Sequence, residues 1–345
     1  MSTAGAPPIL LLSDAVAQLL APDAAERFSP LTGSVLLAVD VCAGDLTLDA
    51  NETRRVREAL ASLPAPTVAF ATEKPRALGK ALLDRFDVVA EEPAQLERLG
   101  AAVQHAPLAA GCLAGLLRHG KHRSIEAGLV AESTAYSTLQ GGPEFARWLG
   151  SHTKRPMPDE EAPLRVWREL DTLHLRLDRS HKHNAFSAAV RDALCEGLEL
   201  AIADTSIREV VLSGEGASFS SGGDLDEFGS LPDPATAHAV RTTRSPARLL
   251  ARCADRVRCE LQGACVGAGV ELPAFAARVS ASEDAFFQLP ELAMGLVPGA
   301  GGTVSLPRRI GRQRTAWLAL SGERLDAETA LAWGLVDELR PPRGD

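Results

Sequence analysis

The chain has 345 residues, of which 46% are hydrophobic and 23% are charged, and its formal net charge at pH 7 is −9. This length predicts two domains, with enough apolar material for a core. The acidic charge argues against nucleic acid or an anionic membrane surface as the main partner, so an anionic substrate would need a local basic patch.

The first part of the chain predicts an irregular α/β unit that turns helical. Two segments, SVLLAVDV and PTVAFAT, have the composition of buried strands. From about Pro93 the apolar spacing becomes helical, and Pro107 stands where a first helical turn tolerates it. The helical segments are PAQLERLGAAVQHAP, PLAAGCLAGLLRHG, SIEAGLVAESTAYSTLQ and GPEFARWLGSH.

A linker follows at residues 151–165, SHTKRPMPDEEAPLR. It combines prolines with a run of charges and has no apolar periodicity, which is typical of a segment between domains. We therefore predict a boundary near residue 160, with one domain at 1–160 and a second at 161–345.

The second part alternates strands and helices, which predicts an α/β architecture with right-handed crossovers. A helix at DAETALAWGLVDEL begins at an Asp cap and leads into a strand. The polar stretch 229–248 predicts a mobile loop. The predicted strands are LRVWREL, TLHLRLD, IREVVLSGE, RVRCELQGACVG and AFFQLPE, and the other predicted helices are FSAAVRDALCEGLELAIAD and one starting at about Gly269.

Two glycine-rich turns and two glutamates in the second part suggest chemistry. Turns at Gly222-Gly223 and at 267–269 free backbone N–H groups to point at an anion, and the second turn opens a helix whose dipole adds positive character. Two such amides can hold a thioester oxygen as it becomes an enolate. Glu271 and Glu291 then supply the acid/base pair that adding water across a double bond requires.

Five segments of the second part occur in a known order. They are LRLDRSHKHNAFS, FSSGGDLDEF, GACVGAGVEL, LPELAMGLVPGAGGTVSLPRRIG and GERLDAETALAWGLVDEL. Together they resemble the crotonase (enoyl-CoA hydratase/isomerase) superfamily over nearly all of residues 165–340. The resemblance implies an α/β fold with a spiral ββα superhelix as its core, to which an N-terminal α/β-to-helical domain is added.

The resemblance also implies roles for individual residues. Gly223 and Ala268 match the oxyanion-hole amide donors, and Glu271 and Glu291 match the two acid/base glutamates of enoyl-CoA hydratases. The residues that match the path of the CoA thioester are Arg179, Lys182, Ala185, Ser221, Gly222, Asp224 and Gly299, with Arg179 and Lys182 as candidates for the CoA phosphates.

Three positions depart from the family pattern. Ala268 stands where glycine is usual, although its backbone amide is retained. Ala277 replaces an aspartate that commonly follows the active-site helix. Pro273 lies two residues after Glu271, where a helix accepts proline only in its first turn, so it bears on how Glu271 is directed.

A typical crotonase continues past the GLVDEL strand into helices that cover the acyl pocket and build a trimer. Here the similar helices are upstream, in residues 101–156, after a stretch that resembles a worn copy of residues 258–288. We therefore expect the first domain to be a degenerate half-copy whose helices complete the site. These helices could cover the site of their own chain or that of a neighbouring subunit, and both alternatives remain open. A third alternative is that the first part is an unrelated helical domain.

The sequence thus predicts a 2-enoyl-CoA hydratase that uses CoA only as part of its substrate. The alternatives are an enoyl-CoA isomerase or acyl-CoA hydrolase of the same fold, or a non-catalytic acyl-CoA-binding or assembly subunit. We expect no metal, because the HxxH pair His119 and His122 lacks a third ligand. The resemblance implies a homo-oligomer, either a trimer or a hexamer.

The compartment is predicted from cysteines and apolar runs. The six cysteines form no CxxC pair, which indicates reduced thiols. No apolar run reaches the ~20 residues needed to cross a bilayer, and the N-terminus lacks a basic leader region. We therefore expect a cytoplasmic protein without a membrane partner.

Overall fold

The first part of the chain folds into a small parallel sheet flanked by helices. The structure is a computed structural model that describes residues 7–31, 34–44, 46–154 and 162–342. The four strands follow chain order across the sheet, and each pairs in parallel with the next. These elements are β1 (Ile9–Leu11), α1 (Leu12–Leu19), α2 (Ala24–Arg27), β2 (Leu37–Asp40), α3 (Ala50–Ser62), β3 (Thr67–Phe70), α4 (Ala77–Leu82) and β4 (Val88–Ala90).

Four longer helices follow this sheet, as the apolar spacing predicts. Pro107 is the first residue of its helix, where its missing N–H has no intrahelical partner to lose, and the carboxylate of Glu144 caps the next two amides. Ser124 caps another helix by accepting from the N–H of Ala127 at 3.1 Å. The helices are α5 (Pro93–His105), α6 (Pro107–Gly120), α7 (Ile125–Gln140) and α8 (Pro143–Ser151).

The second part alternates strands and helices. The strands are β5 (Leu164–Glu169), β6 (Thr172–Leu177), β7 (Glu209–Gly214), β8 (Val257–Leu261), β9 (Ala264–Val266), β10 (Arg278–Ser282), β11 (Phe286–Gln288), β12 (Leu325–Asp326) and β13 (Glu338–Arg340). The helices are α9 (Ala188–Ala203), α10 (Pro234–Thr243), α11 (Pro246–Arg252), α12 (Ala268–Glu271), α13 (Gly302–Arg309), α14 (Arg312–Ser321) and α15 (Ala327–Trp333). The mixed α/β architecture is confirmed.

These strands form two sheets. The larger has the order β13-β10-β8-β7-β6-β5 and is parallel except for the β5–β6 hairpin. The smaller has the order β12-β11-β9, with β9 and β11 parallel. The loop that follows β7 lies against β9, because an isolated parallel bridge pairs Ser220 with Cys265.

One apolar core joins the second part to the helices α5 to α8. Leu113 and Leu117 of α6 belong to the same buried cluster as Leu306 of α13 and Leu318 of α14. The predicted boundary near residue 160 falls among residues outside the described ones, and the core is continuous on both sides of it. The four helices therefore pack as part of the second unit.

The stretch 229–248 corrects the prediction of a mobile loop, because it contains α10 and the start of α11. Asp233 caps the N–H of Thr236 at 2.8 Å, and Ser245 caps the N–H of Arg248 at 3.3 Å, each before a helix that begins with proline. The helix expected from about Gly269 ends at Glu271, and Pro273 opens a separate 3₁₀ turn.

A buried ionic cluster ties the first sheet to the second part. Asp87, just before β4, accepts hydrogen bonds from Arg118 of α6 and from Arg312 of α14, both at 2.9 Å. It also accepts from the N–H and hydroxyl of Thr67 at 2.8 and 3.0 Å. The Asp87 and Arg118 side chains are 1% and 3% exposed, so this ion pair is shielded from solvent.

Among the described residues no single helix is long and apolar enough to cross a membrane, although α5 and α6 pass that test jointly as a pair bent by 110°. All six cysteines are free thiols. Nowhere in the described ranges do three or more His, Cys, Asp or Glu side chains form a group that could hold a metal ion.

Candidate active site

A cavity of about 710 Å³ lies between α7, α10 and the loops that follow β7, β9 and β11. Both sequence-predicted glutamates line it, as do Gly223, Ala268 and Gly299. The fold thus brings together residues from separate segments of the second part. One wall comes from the first part, because Leu129, Ser133 and Tyr136 of α7 line the same cavity, and this cover is supplied within the chain.

The two glycine-rich turns lie side by side. A bridge joins them, since Ser220 donates to Ala264 O at 3.0 Å and accepts from the N–H of Val266 at 3.0 Å. Among the described residues, neither the N–H of Gly223 nor that of Ala268 has an acceptor. These are the two amides predicted for an oxyanion, and Ala268 also begins α12, where the helix dipole is positive.

Gly267 explains why the second turn needs glycine. Its φ of +50° is disfavoured for residues with a side chain, and a Cβ there would lie 2.6 Å from Glu291 Oε1. A side chain at this position would therefore displace the carboxyl group of Glu291.

Glu271 is the last residue of α12, and its carboxyl group is held by the loop before α13. The N–H groups of Ala300 and Gly302 donate to its Oε2 at 2.7 and 2.8 Å, and neither occupies Oε1. Burial raises the pKa of Glu271 to about 7, against the lowering effect of these backbone donors. Near neutral pH it is therefore poised to accept a proton.

Glu291 opens a 3₁₀ turn after Pro290 and is 8% exposed. Its Oε2 is buried and has no hydrogen-bond partner among the described residues. Burial first, and then the negative charge of Glu271, raise the pKa of Glu291 well above its usual 4.5. Because the charge of Glu271 contributes to this rise, the two groups titrate as a pair.

A third buried carboxylate, which the sequence analysis missed, lies on α7. Glu132 is 2% exposed and lines the cavity. Burial, and then the charge of Glu271, raise its pKa to about 8. A signal was available in the helical spacing, because Glu132 falls on the stripe of Leu129 and Tyr136, where a helix buries its side chains.

Tyr136 and Arg241 close one wall of the cavity. The Arg241 guanidinium lies 4.6 Å from the centroid of the Tyr136 ring and donates to Ser133 Oγ and Gln140 Oε1, both at 3.2 Å. These contacts fasten α10 to α7. The Tyr136 ring in turn lies so close to Gly299 that a Cβ on Gly299 would come within 2.5 Å of it.

Arg179 requires a correction, because the structure does not make it available to a CoA phosphate. Its side chain is 1% exposed and donates to Asp224 Oδ2 at 2.9 Å and to the carbonyl oxygen of Ala185. A buried guanidinium that already pairs with a carboxylate positions the loops around it. Asp224, predicted to contact substrate, is likewise engaged with Arg179, and it holds the loop of Gly223.

The other predicted CoA contacts, apart from Gly299, do not line the cavity themselves, although Ala185 and Gly222 are next in sequence to the lining residues Phe186 and Gly223. Lys182 is partly exposed and approaches Asp224 at 3.2 Å and Asp226 at 3.4 Å. Ser221 is exposed, and its N–H donates to His183 O at 2.9 Å. The carbonyl of Gly222 accepts from Phe186 at 2.7 Å. For Lys182, Ser221, Gly222 and Ala185, contact with CoA stays a prediction.

Two of the noted departures have simple structural outcomes. Pro273 falls after α12 has ended, so it removes no hydrogen bond from the turn that carries Glu271. Ala277 donates its N–H to Ala254 O at 3.0 Å, and a side-chain carboxylate is absent there.

The raised pKa values predict how stability depends on pH. Burial raises the pKa of Glu271 from 4.5 to about 7 and that of Glu132 from 4.5 to about 8. At a pH between the unfolded and the folded pKa values, the folded protein therefore binds more protons than the unfolded chain. Its free energy of unfolding consequently falls as pH rises from about 5 to 8. In urea unfolding we expect the free energy of unfolding to decrease on the order of a few kcal/mol over this pH range. The decrease should be smaller in Glu271→Gln. Equal slopes in both proteins would contradict this prediction.

Comparisons with known proteins identify the family that the second part of the chain resembles. The family model described as enoyl-CoA hydratase/isomerase matches residues 171–343. The chain is 37% identical over 176 residues to 2,3-dehydroadipyl-CoA hydratase of Escherichia coli, a match that covers 51% of this chain and 68% of that protein. It is 34% identical over 172 residues to 1,2-epoxyphenylacetyl-CoA isomerase of the same bacterium, covering 49% and 66%.

Among solved structures, an enoyl-CoA hydratase from Thermoplasma volcanium is 34% identical, with a TM-score of 0.49 over 52% of this chain and 72% of that chain. The segment of this chain that matches the two E. coli relatives spans about two thirds of the length of each of them. The family match begins at residue 171, so the helices α5 to α8 lie outside it.

Proposed function

The chain belongs to the enoyl-CoA hydratase/isomerase (crotonase) family, and on this basis we propose that it is a 2-enoyl-CoA hydratase. The reaction is the syn addition of water to the C2=C3 double bond of a CoA thioester. The observation that carries the proposal is a pair of buried carboxyl groups with raised pKa values, Glu271 and Glu291. They line one cavity with two amides that have no acceptor among the described residues.

The two amides act on the thioester. When water attacks C3, negative charge moves to the thioester oxygen, which the N–H groups of Gly223 and Ala268 stabilise by hydrogen bonds. Each donor of this kind contributes about 3–4 kcal/mol to the stability of the transition state. Because α12 begins at Ala268, its dipole adds to the effect.

The two glutamates divide the proton transfers. Ionised Glu271 takes a proton from the water molecule while the water oxygen forms a bond to C3. Protonated Glu291 gives its proton to C2. The product gains one OH and one H, and the two carboxyl groups exchange protonation states. A proton must then pass from Glu271 to Glu291 before the next cycle.

The hydratase assay measures loss of the conjugated-thioester absorbance of crotonyl-CoA. We expect this absorbance to fall with saturation kinetics and a 3-hydroxyacyl-CoA to accumulate. Conversion of a 3-enoyl-CoA without hydration of crotonyl-CoA would instead identify an isomerase. Release of free CoA thiol would identify a hydrolase, and acyl-CoA binding without turnover of any of these thioesters would identify a binding subunit.

A further inference from the structure

Helix α7 brings a carboxylate into the site from outside the residues that the family match covers. Oε1 of Glu132 accepts from the N–H of Gly301 at 2.7 Å. Oε2 accepts from the N–H and the hydroxyl of Thr303 at 2.8 and 2.7 Å. Both oxygens of this buried side chain are therefore engaged by the segment that begins α13.

Glu271 is held by the same segment. Its Oε2 takes the N–H groups of Ala300 and Gly302, whereas Glu132 takes those of Gly301 and Thr303. Successive amides thus alternate between the two carboxylates, which hold the segment from two sides. Since adjacent peptide planes are rigid and share a Cα atom, releasing one carboxylate alters the direction of the amides that hold the other.

The packing around Glu271 leaves little room for adjustment. A Cβ on Gly302 would lie 2.7 Å from Glu271 Cγ and 2.8 Å from its Oε2. The carboxyl group therefore contacts the backbone of the segment directly. A shift of the segment by a fraction of an ångström must move Glu271 or break its hydrogen bonds.

Charge couples the same groups. Glu132 faces Glu271 of α12 and Glu291 of the 3₁₀ turn, and it also interacts with Tyr136 on its own helix and Arg241 of α10. The negative charge of Glu132 raises the pKa of Glu291, which is the group that must hold a proton before water adds.

We propose that Glu132 is a positioning residue for the hydration reaction, which fixes segment 299–303 and thereby directs the carboxyl group of Glu271. This inference rests on the proposed function. It assigns a role in the second part of the chain to a residue from the first part, and it explains why α7 packs over the site.

Glu132→Gln is the central variant. The amide side chain has the same shape but one acceptor oxygen, and its NH₂ group would face a backbone N–H, so at least one of the three bonds is lost. Because a small misplacement of a catalytic group can lower rates up to about 100-fold, we expect kcat for crotonyl-CoA to fall about 10- to 100-fold with KM changed less than about threefold.

Two further variants grade the effect. Thr303→Val removes only the hydroxyl donor and should lower kcat by a few-fold. Glu126→Gln makes the same chemical change on the exposed side of α7, where Glu126 pairs with Arg248, and kcat should stay within about twofold of the unmodified protein.

The pH profile separates positioning from a merely structural role. Without the Glu132 charge the pKa of Glu291 falls, so the basic limb of the kcat profile should move to lower pH. If Glu271 loses an amide donor its pKa rises, so the acidic limb should move to higher pH. A narrower bell-shaped dependence of kcat on pH supports the proposal. If kcat is lower at every pH but both limbs of the profile stay in place, the proposal is overturned.

A crystal structure of Glu132→Gln tests the proposal independently of the reaction. Loss or lengthening of an N–H···Oε2 bond to Glu271 supports a positioning role, even if crotonyl-CoA is not the substrate. An unmoved Glu271 that retains both bonds overturns it, even if activity falls. Failure of the hydratase assay with the unmodified protein concerns the proposed function alone, and the structure still decides the role of Glu132.

Discussion

Glu271→Gln and Glu291→Gln are each expected to lower kcat for enoyl-CoA hydration by about 10²–10⁴-fold, the usual contribution of one general acid or base. A glutamine at either position retains the shape of the side chain but neither accepts nor donates the proton of the reaction. Since each step of the hydration uses a different carboxyl group, neither variant can rely on the other glutamate. The measurement is the loss of crotonyl-CoA absorbance under saturating substrate.

Binding of the thioester should survive in both variants, because the N–H groups of Gly223 and Ala268 are unchanged. A dissociation constant for a non-reactive acyl-CoA within about fivefold of the unmodified protein's would separate chemistry from binding, since fivefold corresponds to only about 1 kcal/mol. Glu283→Gln is the matched control, as Glu283 is exposed on the same part of the chain. Retention of most crotonyl-CoA hydration in either active-site variant would contradict the role of that glutamate as an acid or base of the reaction.

The strands β2, β3 and β5 to β9 and the helices α5 to α9 could be predicted because their signals are local. The strands β1, β4 and β10 and the helix α3 were not predicted. The helices α5, α6 and α8 begin at proline, and apolar residues recur at helical spacing along them. The start signals of α10 and α11, Asp233-Pro234 and Ser245-Pro246, are of the same kind. Apolar periodicity does not support the signal at α10, because α10 buries only Ala237 and a short helix with one buried residue shows no such periodicity.

Four residues that line one cavity, Gly223, Ala268, Glu271 and Glu291, could be singled out because the roles predicted for them require fixed sequence frames. The amides of Gly223 and Ala268 need tight turns, and both glutamates sit next to such turns. The role of Glu132 depends instead on amides that lie 169 and 171 positions along the chain. Local sequence gives no indication of such a distant partner.

The error over Arg179 has the same origin. Its partner Asp224 lies 45 residues away, and the ion pair is buried. A cation beside a substrate-binding motif suggests phosphate binding as long as its burial and its partner are unknown. Burial of a charge depends on how segments assemble, which only the tertiary structure reveals.

Asp87→Asn is expected to lower the free energy of unfolding by about 3–5 kcal/mol, because it leaves two arginines at a buried site without their counter-charge. The carboxylate accepts from Arg118, Arg312 and Thr67, which come from three elements in both parts of the chain. Urea unfolding followed by circular dichroism measures the loss.

Asp84→Asn is the matched control, since the Asp84 carboxylate lies three positions earlier and pairs with Arg57 at the surface, where it is 65% exposed. Surface pairs of this kind contribute at most about 1 kcal/mol, so this variant should unfold close to the unmodified protein. Similar losses in both variants would show that the Asp87 cluster is not what joins the first sheet to the second part. A large loss for Asp87→Asn alone, with separate unfolding of the first sheet at lower urea, would show that this one carboxylate couples the two parts into a cooperative unit.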